Sequence, residues 1–225
     1  MKLDLHLHSS NSIDSINSEK TIVEICKKKG LGFALTDHDS IAGWNEAKFF
    51  AKKLKVPFIQ GEEILIVENG EILGEIIGLF MEDFVESGRV FDVLDDLKKQ
   101  DALVTVPHPF DSFRKGLFCN LEEKNLNGVV KKIDAVEIFN ARVHLKRFNA
   151  RAQKFAEEKK LGKTVGSDAH TPEEIGNAFL ECDASSLEEC RKLIKKGKIS
   201  FSGKIAPLKA HFLTQLAKRK IIREK

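Results

Sequence analysis

The sequence predicts an α/β protein in which strand and helix units follow one another around a largely parallel sheet. Three observations carry that expectation. Apolar, strand-like runs alternate with charged stretches of helical period along the chain. The 225 residues fit one barrel-sized domain. Histidines and acidic residues recur at the C-terminal ends of the predicted strands, the edge on which parallel β/α barrels build their sites.

The first strand is "LDLHLH". Alternation puts Leu3, Leu5 and Leu7 on one face and Asp4, His6 and His8 on the other. A polar face on a half-buried edge strand is the plain reading; two imidazoles converging beyond the strand end is the sharper one. "SEKTIVEICKKKG" follows as a helix, framed by Ser18 or Thr21 at its start and ended by Gly30. "LGFALTDHD" is a strand entering a polar loop, "GWNEAKFFAKKLK" a helix, and "VPFIQGEEI" a strand. Asn69-Gly70 between two β-rich runs signals a hairpin. The alternation resumes with a helix near "VFDVLDDLKKQ", then the strand "ALVTVPHP". After a looser stretch come "DAVEIFN", the helix "HLKRFNARAQKFAEEKKLG" and the strand "KTVGSDAH". "NAFLECDA", a helix around "LEECRKLIKKG" and a basic helical tail at about 207–221 complete one domain over 1–225.

Composition excludes several classes. Hydrophobic residues make up 42% and charged residues 32%, a soluble balance, and the formal charge of +3 does not by itself imply a nucleic-acid partner. No apolar run reaches the roughly 18 residues of a membrane helix. Asp4 and the two histidines occupy the place of a signal peptide's apolar run, so a cytoplasmic protein is expected. Cys26, Cys119, Cys182 and Cys190 form no C-x-x-C pair and read as reduced packing thiols. The phenylalanines lie mostly in apolar runs and look like core rather than a base-stacking platform.

The strand ends "HLH", "TDHD", "GEE", "PHP" and "GSDAH" carry the functional signal. One histidine at a strand end can cap a loop carbonyl. Five strand ends bearing His, Asp or Glu would be costly to gather unless cations neutralise them. In this order, "HLHSSNSID", "LTDHDS", "GEEI", "VPHPFD" and "GSDAH" resemble the polymerase and histidinol phosphatase (PHP) superfamily, from residue 3 to about residue 180. The resemblance implies a distorted seven-stranded β/α barrel, two or three divalent metals (Mn, Fe or Zn) and phosphoester hydrolysis.

Carried over by motif, the resemblance implies a first site of His6, His8, Glu63 and Asp168, a second sharing Glu63 and adding His108, and a third using His38 and His170. Two positions depart from the commoner pattern. Asp14 stands where many relatives place a histidine, and Glu75 stands where relatives read roughly His-x-x-Gly; both are kept as candidate ligands. A carboxylate at Glu75 is harder than imidazole and shifts the site toward manganese or iron. Asp37 and Asp39 are read as groups that orient imidazoles. Asp14 and His170 are candidates to protonate the leaving alcohol. Arg142 is the favoured grip for phosphate oxygens, Arg114 the lesser one, and Asn140 is expected to orient the substrate-binding loop.

The expected substrate is a small phosphorylated metabolite or nucleotide. A 5′-directed nuclease is the alternative within the same chemistry. An amidohydrolase on a similar barrel also begins with H-x-H, but lacks the Pro-His-Pro and "SDAH" pattern, and a non-catalytic metal-binding partner domain is the third reading. The basic tail reads as a helix with a solvated cationic face, with nucleic-acid contact as its alternative. The motifs carry no signal for oligomeric state.

Overall fold

A computed structural model describes residues 1–207 and Thr214. Its strands are β1 (Lys2–Asp4), β2 (Gly32–His38), β3 (Phe58–Glu68), β4 (Glu71–Leu79), β5 (Leu103–Val106), β6 (Ala135–Asn140), β7 (Gly162–Gly166), β8 (Ala178–Glu181) and β9 (Ser200–Gly203). The helices are α1 (Glu19–Lys29), α2 (Trp44–Leu54), α3 (Val90–Lys99), α4 (Leu117–Asn120), α5 (Glu123–Val130), α6 (Lys146–Lys159) and α7 (Leu187–Lys195). The tail expected at 207–221 lies outside the described residues, apart from Pro207 and Thr214.

The sheet runs β7-β6-β5-β4-β3-β2-β1-β8-β9. Among the described residues nine strands stand where seven are expected, and the two extra, β8 and β9, are added beside β1. Lys2 and Leu3 pair antiparallel with β8, whereas the chain from Leu5 to His8 turns to the continuation of β7. The Leu5 amide donates to Val165 O at 3.2 Å, the Asp168 amide to His6 O at 2.7 Å, and the His8 amide to Ala169 O at 3.1 Å. These bonds close β1 to β7 into a ring, and β8 with β9 is an added antiparallel pair. Because β1 divides between two partners, its regular part ends at Asp4 rather than His8.

The closure needs close backbone approach. A Cβ on Gly166 would fall 2.2 Å from His6 Cβ, so only glycine fits there. The distortion of the barrel is β4, antiparallel to both β3 and β5. It follows from the Asn69-Gly70 turn, whose φ values of 53° and 80° suit a type I′ hairpin.

Local signals place most helices as expected. Ser18, rather than Thr21, caps α1 by accepting from the Thr21 amide, and Gly30 ends it at φ 66°. The Trp44 indole donates to Gly61 O at 2.9 Å, which pins α2 beside β3. The looser stretch after β5 folds into a 3-10 turn (Ser112–Arg114) and two short helices, α4 and α5. Leu3, Leu5 and Leu7 are buried among the apolar core, and so are Asp4, His6 and His8 opposite them. Both faces of the first strand are therefore inside, and it is no edge.

Candidate metal centre

Alternation on β1 and its continuation aims His6 and His8 to one side. Their Nε2 atoms lie 3.1 Å apart, and both are 3.3 Å from Glu63 Oε2. Asp168 Oδ1, just past β7, lies 3.8 Å from His6 Nε2 and 3.5 Å from His8 Nε2. The sequence grouping of these four residues is thus one cluster in space.

Glu63 sits opposite His38 in the parallel β2–β3 register, so the end of β2 and the middle of β3 deliver adjacent ligand atoms. His38 Nδ1 lies 3.1 Å from Glu63 Oε2 and 3.6 Å from Glu75 Oε1. His108 Nε2 lies 3.3 Å from Glu63 Oε1 and 3.4 Å from Glu75 Oε2. Glu75, the departure from the commoner pattern, therefore points into the cluster from β4. On the far side His170 Nε2 lies 3.2 Å from Asp14 Oδ1, and His38 Nε2 is 3.7 Å from the same oxygen. His38 touches both groups, whereas the sequence reading set it only beside His170. All nine candidate ligands meet at one rim.

The outer nitrogens fix how the imidazoles are protonated. His6 Nδ1 lies 2.9 Å from Glu137 Oε1, which only accepts, so Nδ1 carries the proton and Nε2 turns a lone pair inward. His8 Nδ1 donates to Ser12 Oγ at 3.1 Å, because that hydroxyl gives its own proton to Asp37 Oδ1 at 2.8 Å. His170 Nδ1 donates to Asp168 O at 2.8 Å. Asp37 thus orients an imidazole through Ser12, as the sequence suggests. Asp39 does not: its Oδ1 accepts from the Leu65 amide at 2.9 Å and supports β3.

Glu137 and Ser12 escaped the sequence reading. Glu137 also accepts from the His108 amide at 2.8 Å and from Asn140 Nδ2 at 2.9 Å, so one carboxylate steadies two candidate ligands. Its signal was available as a lone acid between Val136 and Ile138 in an otherwise apolar strand.

Electrostatics test whether these donors fit a cation. Glu63 Oε1 and Oε2, Asp168 Oδ1 and both ring nitrogens of His108 are buried without a hydrogen-bond partner among the described residues. Burial opposes charge on His8, yet Asp168 and Glu63 push its pKa up to about 9. Burial likewise opposes the charge of Glu63, and His6 with His38 overrules it, holding the carboxyl well below its usual range. His170 goes the other way, with burial lowering it to about 3. Carboxylates that draw protons onto inward-facing imidazoles call for positive charge at that point. Mixed nitrogen and oxygen donors with unmet lone pairs fit divalent transition ions.

Arg142, the favoured phosphate grip, is 4% exposed; its Nε lies 3.2 Å from Glu174 Oε1 and its Nη2 donates to Thr214 Oγ1 at 2.6 Å. Arg114 instead pairs with Asp168 Oδ2 and keeps 24% of its side chain exposed, beside the partly exposed His38 and Glu75. The site meets solvent on the Arg114 side. Asn140 is fully buried, giving its amide to Glu137 and Asp168 Oδ2 and accepting from the Arg142 amide.

Among the described residues no helix is long and apolar enough to cross a membrane. Residues 4–115 match the PHP domain family, and residues 146–199 match the PHP-associated family. An uncharacterized protein of Methanocaldococcus jannaschii is 34% identical over 193 residues, 84% of this chain and 73% of that one. The 5′-3′ exoribonuclease of Haemophilus influenzae is 42% identical over 79 residues, covering 35% of this chain and 28% of that enzyme. In fold, the chain is similar to a two-domain Bacteroides vulgatus protein containing a predicted PHP-like metal-dependent phosphoesterase, at a TM-score of 0.76 and 18% identity over 96% of this chain and 69% of the other. The motif order, the ring of β1 to β7 and these matches agree: the chain belongs to the PHP domain family.

Proposed function

We propose that this protein hydrolyses the phosphoester of a small phosphorylated metabolite or nucleotide through two or three divalent metals. The observation that carries the proposal is Glu63, whose two carboxylate oxygens stand 3.1–3.3 Å from imidazole nitrogens of His6, His8, His38 and His108. A carboxylate so surrounded suits a ligand shared between neighbouring cations. His6, His8, Glu63 and Asp168 would hold one ion, Glu63, Glu75, His108 and His38 a second, and Asp14, His170 and His38 a third. Ions bound there supply Lewis acidity for phosphoryl oxygens and lower the pKa of water to the neutral range.

The protein's own groups do the rest. Glu137, Ser12 and the Asp168 carbonyl hold the Nδ1 protons of His6, His8 and His170, so three Nε2 lone pairs stay aimed inward. Arg114 is assigned to the phosphate, because its guanidinium reaches Asp168 and its exposed side faces incoming substrate. With its Nδ1 proton given to Asp168 O and its Nε2 facing the Asp14 carboxylate, His170 has no proton to spare. Asp14 and His170 therefore act as ligands or bases, and the leaving alcohol takes its proton from water.

The test is turnover by protein reconstituted with Mn, Fe or Zn, run on phosphorylated metabolites, nucleotides and oligonucleotides. Phosphate release that depends on added metal is expected. The exoribonuclease relative keeps a 5′-directed nuclease as the second reading; salt-sensitive cleavage of oligonucleotides in preference to small substrates would select it. Metal uptake without turnover on any phosphoester would overturn the hydrolase and leave a metal-binding partner domain.

A further inference from the structure

At the end of β1 opposite the metal centre, two thiols meet. Cys182 follows β8, Cys190 lies in α7, and their sulfurs are 2.9 Å apart. A disulfide bond is about 2.03–2.05 Å long. Carbon atoms in contact settle at roughly 3.5–4.0 Å, and sulfur is larger than carbon. The pair is therefore unbonded but held closer than thiols packed merely side by side.

Both partners are fixed in place. The Cys182 amide donates to Met1 O at 3.0 Å, and Cys182 O accepts from the Met1 amino group at 2.6 Å. Ser186 caps α7 by accepting from the Glu189 amide, which sets the helix turn that carries Cys190. The two differ in access. Cys190 is fully buried, while Cys182 is 9% exposed and lines an open pocket of about 420 Å³ with Lys2, Lys198 and Ser200.

We propose that Cys182 and Cys190 form a thiol–disulfide exchange site that closes to an intramolecular disulfide on meeting a low-molecular-weight disulfide. Cys182, having lost its proton to water, attacks one sulfur of the small disulfide and expels the first thiolate. Cys190 then attacks Cys182 Sγ in the mixed disulfide and expels the second thiolate, which carries the Cys190 proton away as it leaves. Two electrons pass from the cysteine pair to the small disulfide, and the two released protons meet the two expelled thiolates. The approach from the pocket makes Cys182 the attacking thiol and buried Cys190 the resolving one. The new bond would tie α7 to β8, which pairs with β1 through Lys2 and Leu3. The reading as reduced packing thiols would then hold only for Cys26, because Cys119 is exposed.

The experiment uses the full chain in a Cys119→Ser background, because exposed Cys119 would react by itself. Folded protein is incubated with oxidised glutathione, quenched in acid, unfolded, alkylated and weighed by mass spectrometry. Two alkylatable thiols should disappear, a peptide joining Cys182 to Cys190 should appear, and Cys26 alone should be alkylated. The oxidised form should melt about 5 °C higher. Cys190→Ser should stop at one glutathione on Cys182, and Cys182→Ser should take none. Three alkylated thiols after incubation would overturn the proposal, and the unsubstituted pair gives that result even if a serine variant fails to fold. Glutathione captured by Cys190 in Cys182→Ser would overturn the order of attack.

Discussion

The strand half and the loop half of the ligand set are supplied in different ways. In the strand half His6, His8, His38, Glu63 and Glu75 sit on strands or their direct continuation, and alternation aims them. In the loop half His108 and Asp168 lie past strand ends in left-handed backbone, with φ of 27° and 55°. Non-glycine residues avoid that region unless the surroundings impose it. Here they do: Glu137 takes the His108 amide at 2.8 Å, and the His6 carbonyl takes the Asp168 amide at 2.7 Å. Strand ligands are placed by local geometry, whereas loop ligands are placed by bonds from other strands.

The largest break in this comparison comes from removing one ligand of each kind. His6→Ala and Asp168→Asn should each reduce turnover by at least about a thousandfold and lower bound metal, with the fold retained. Metal analysis after dialysis, circular dichroism and initial rates check this; wild-type turnover in either variant would refute the first cluster. Next, Gly166→Ala attacks the closure on which both halves depend. Its Cβ would meet His6 Cβ at 2.2 Å, so stability should fall by about 3 kcal/mol in denaturant titration.

Glu137→Gln sharpens the contrast by removing no candidate ligand while disturbing the support of one from each group, His6 and His108. Metal affinity should drop by about 10- to 100-fold, with unchanged secondary structure, as read by competition with a chelating dye. The smallest effect comes from the neighbour of a ligand. Glu62 is fully buried, its Oε2 accepts from the Val85 amide at 3.1 Å, and burial pushes its pKa up to about 8. A carboxyl raised from 4.5 favours the folded state fully below pH 4.5, and that contribution is lost as pH rises toward 8. Glu62→Gln should therefore match the parent near pH 4.5 and exceed it by about 2 kcal/mol near pH 8. Equal unfolding free energies at both pH values would show that Glu62 ionises freely in the fold.

Much of the site was legible because strands write their geometry in period two. "LDLHLH" and "GEE" declare which side chains share a face, and motif order declares that the strand ends meet. Glu137 was missed because one acid in "DAVEIFN" looks the same whether it faces solvent or a neighbouring imidazole. The difference in burial between Arg142 and Arg114 was hidden for a related reason. Both follow strand ends, and only packing buries one against Glu174 and leaves the other open beside Asp168.

By itself the sequence determined the alternation of strands and helices, the Asn69-Gly70 hairpin and the polar edge, since each depends on residues near one another in the chain. Tertiary structure alone decided that β1 divides between β7 and β8, which arginine faces solvent, and which nitrogen of each imidazole keeps its proton. Those outcomes depend on partners up to 179 positions apart, such as Lys2 and Glu181. Long-range bonds of that kind leave no period for a sequence to display.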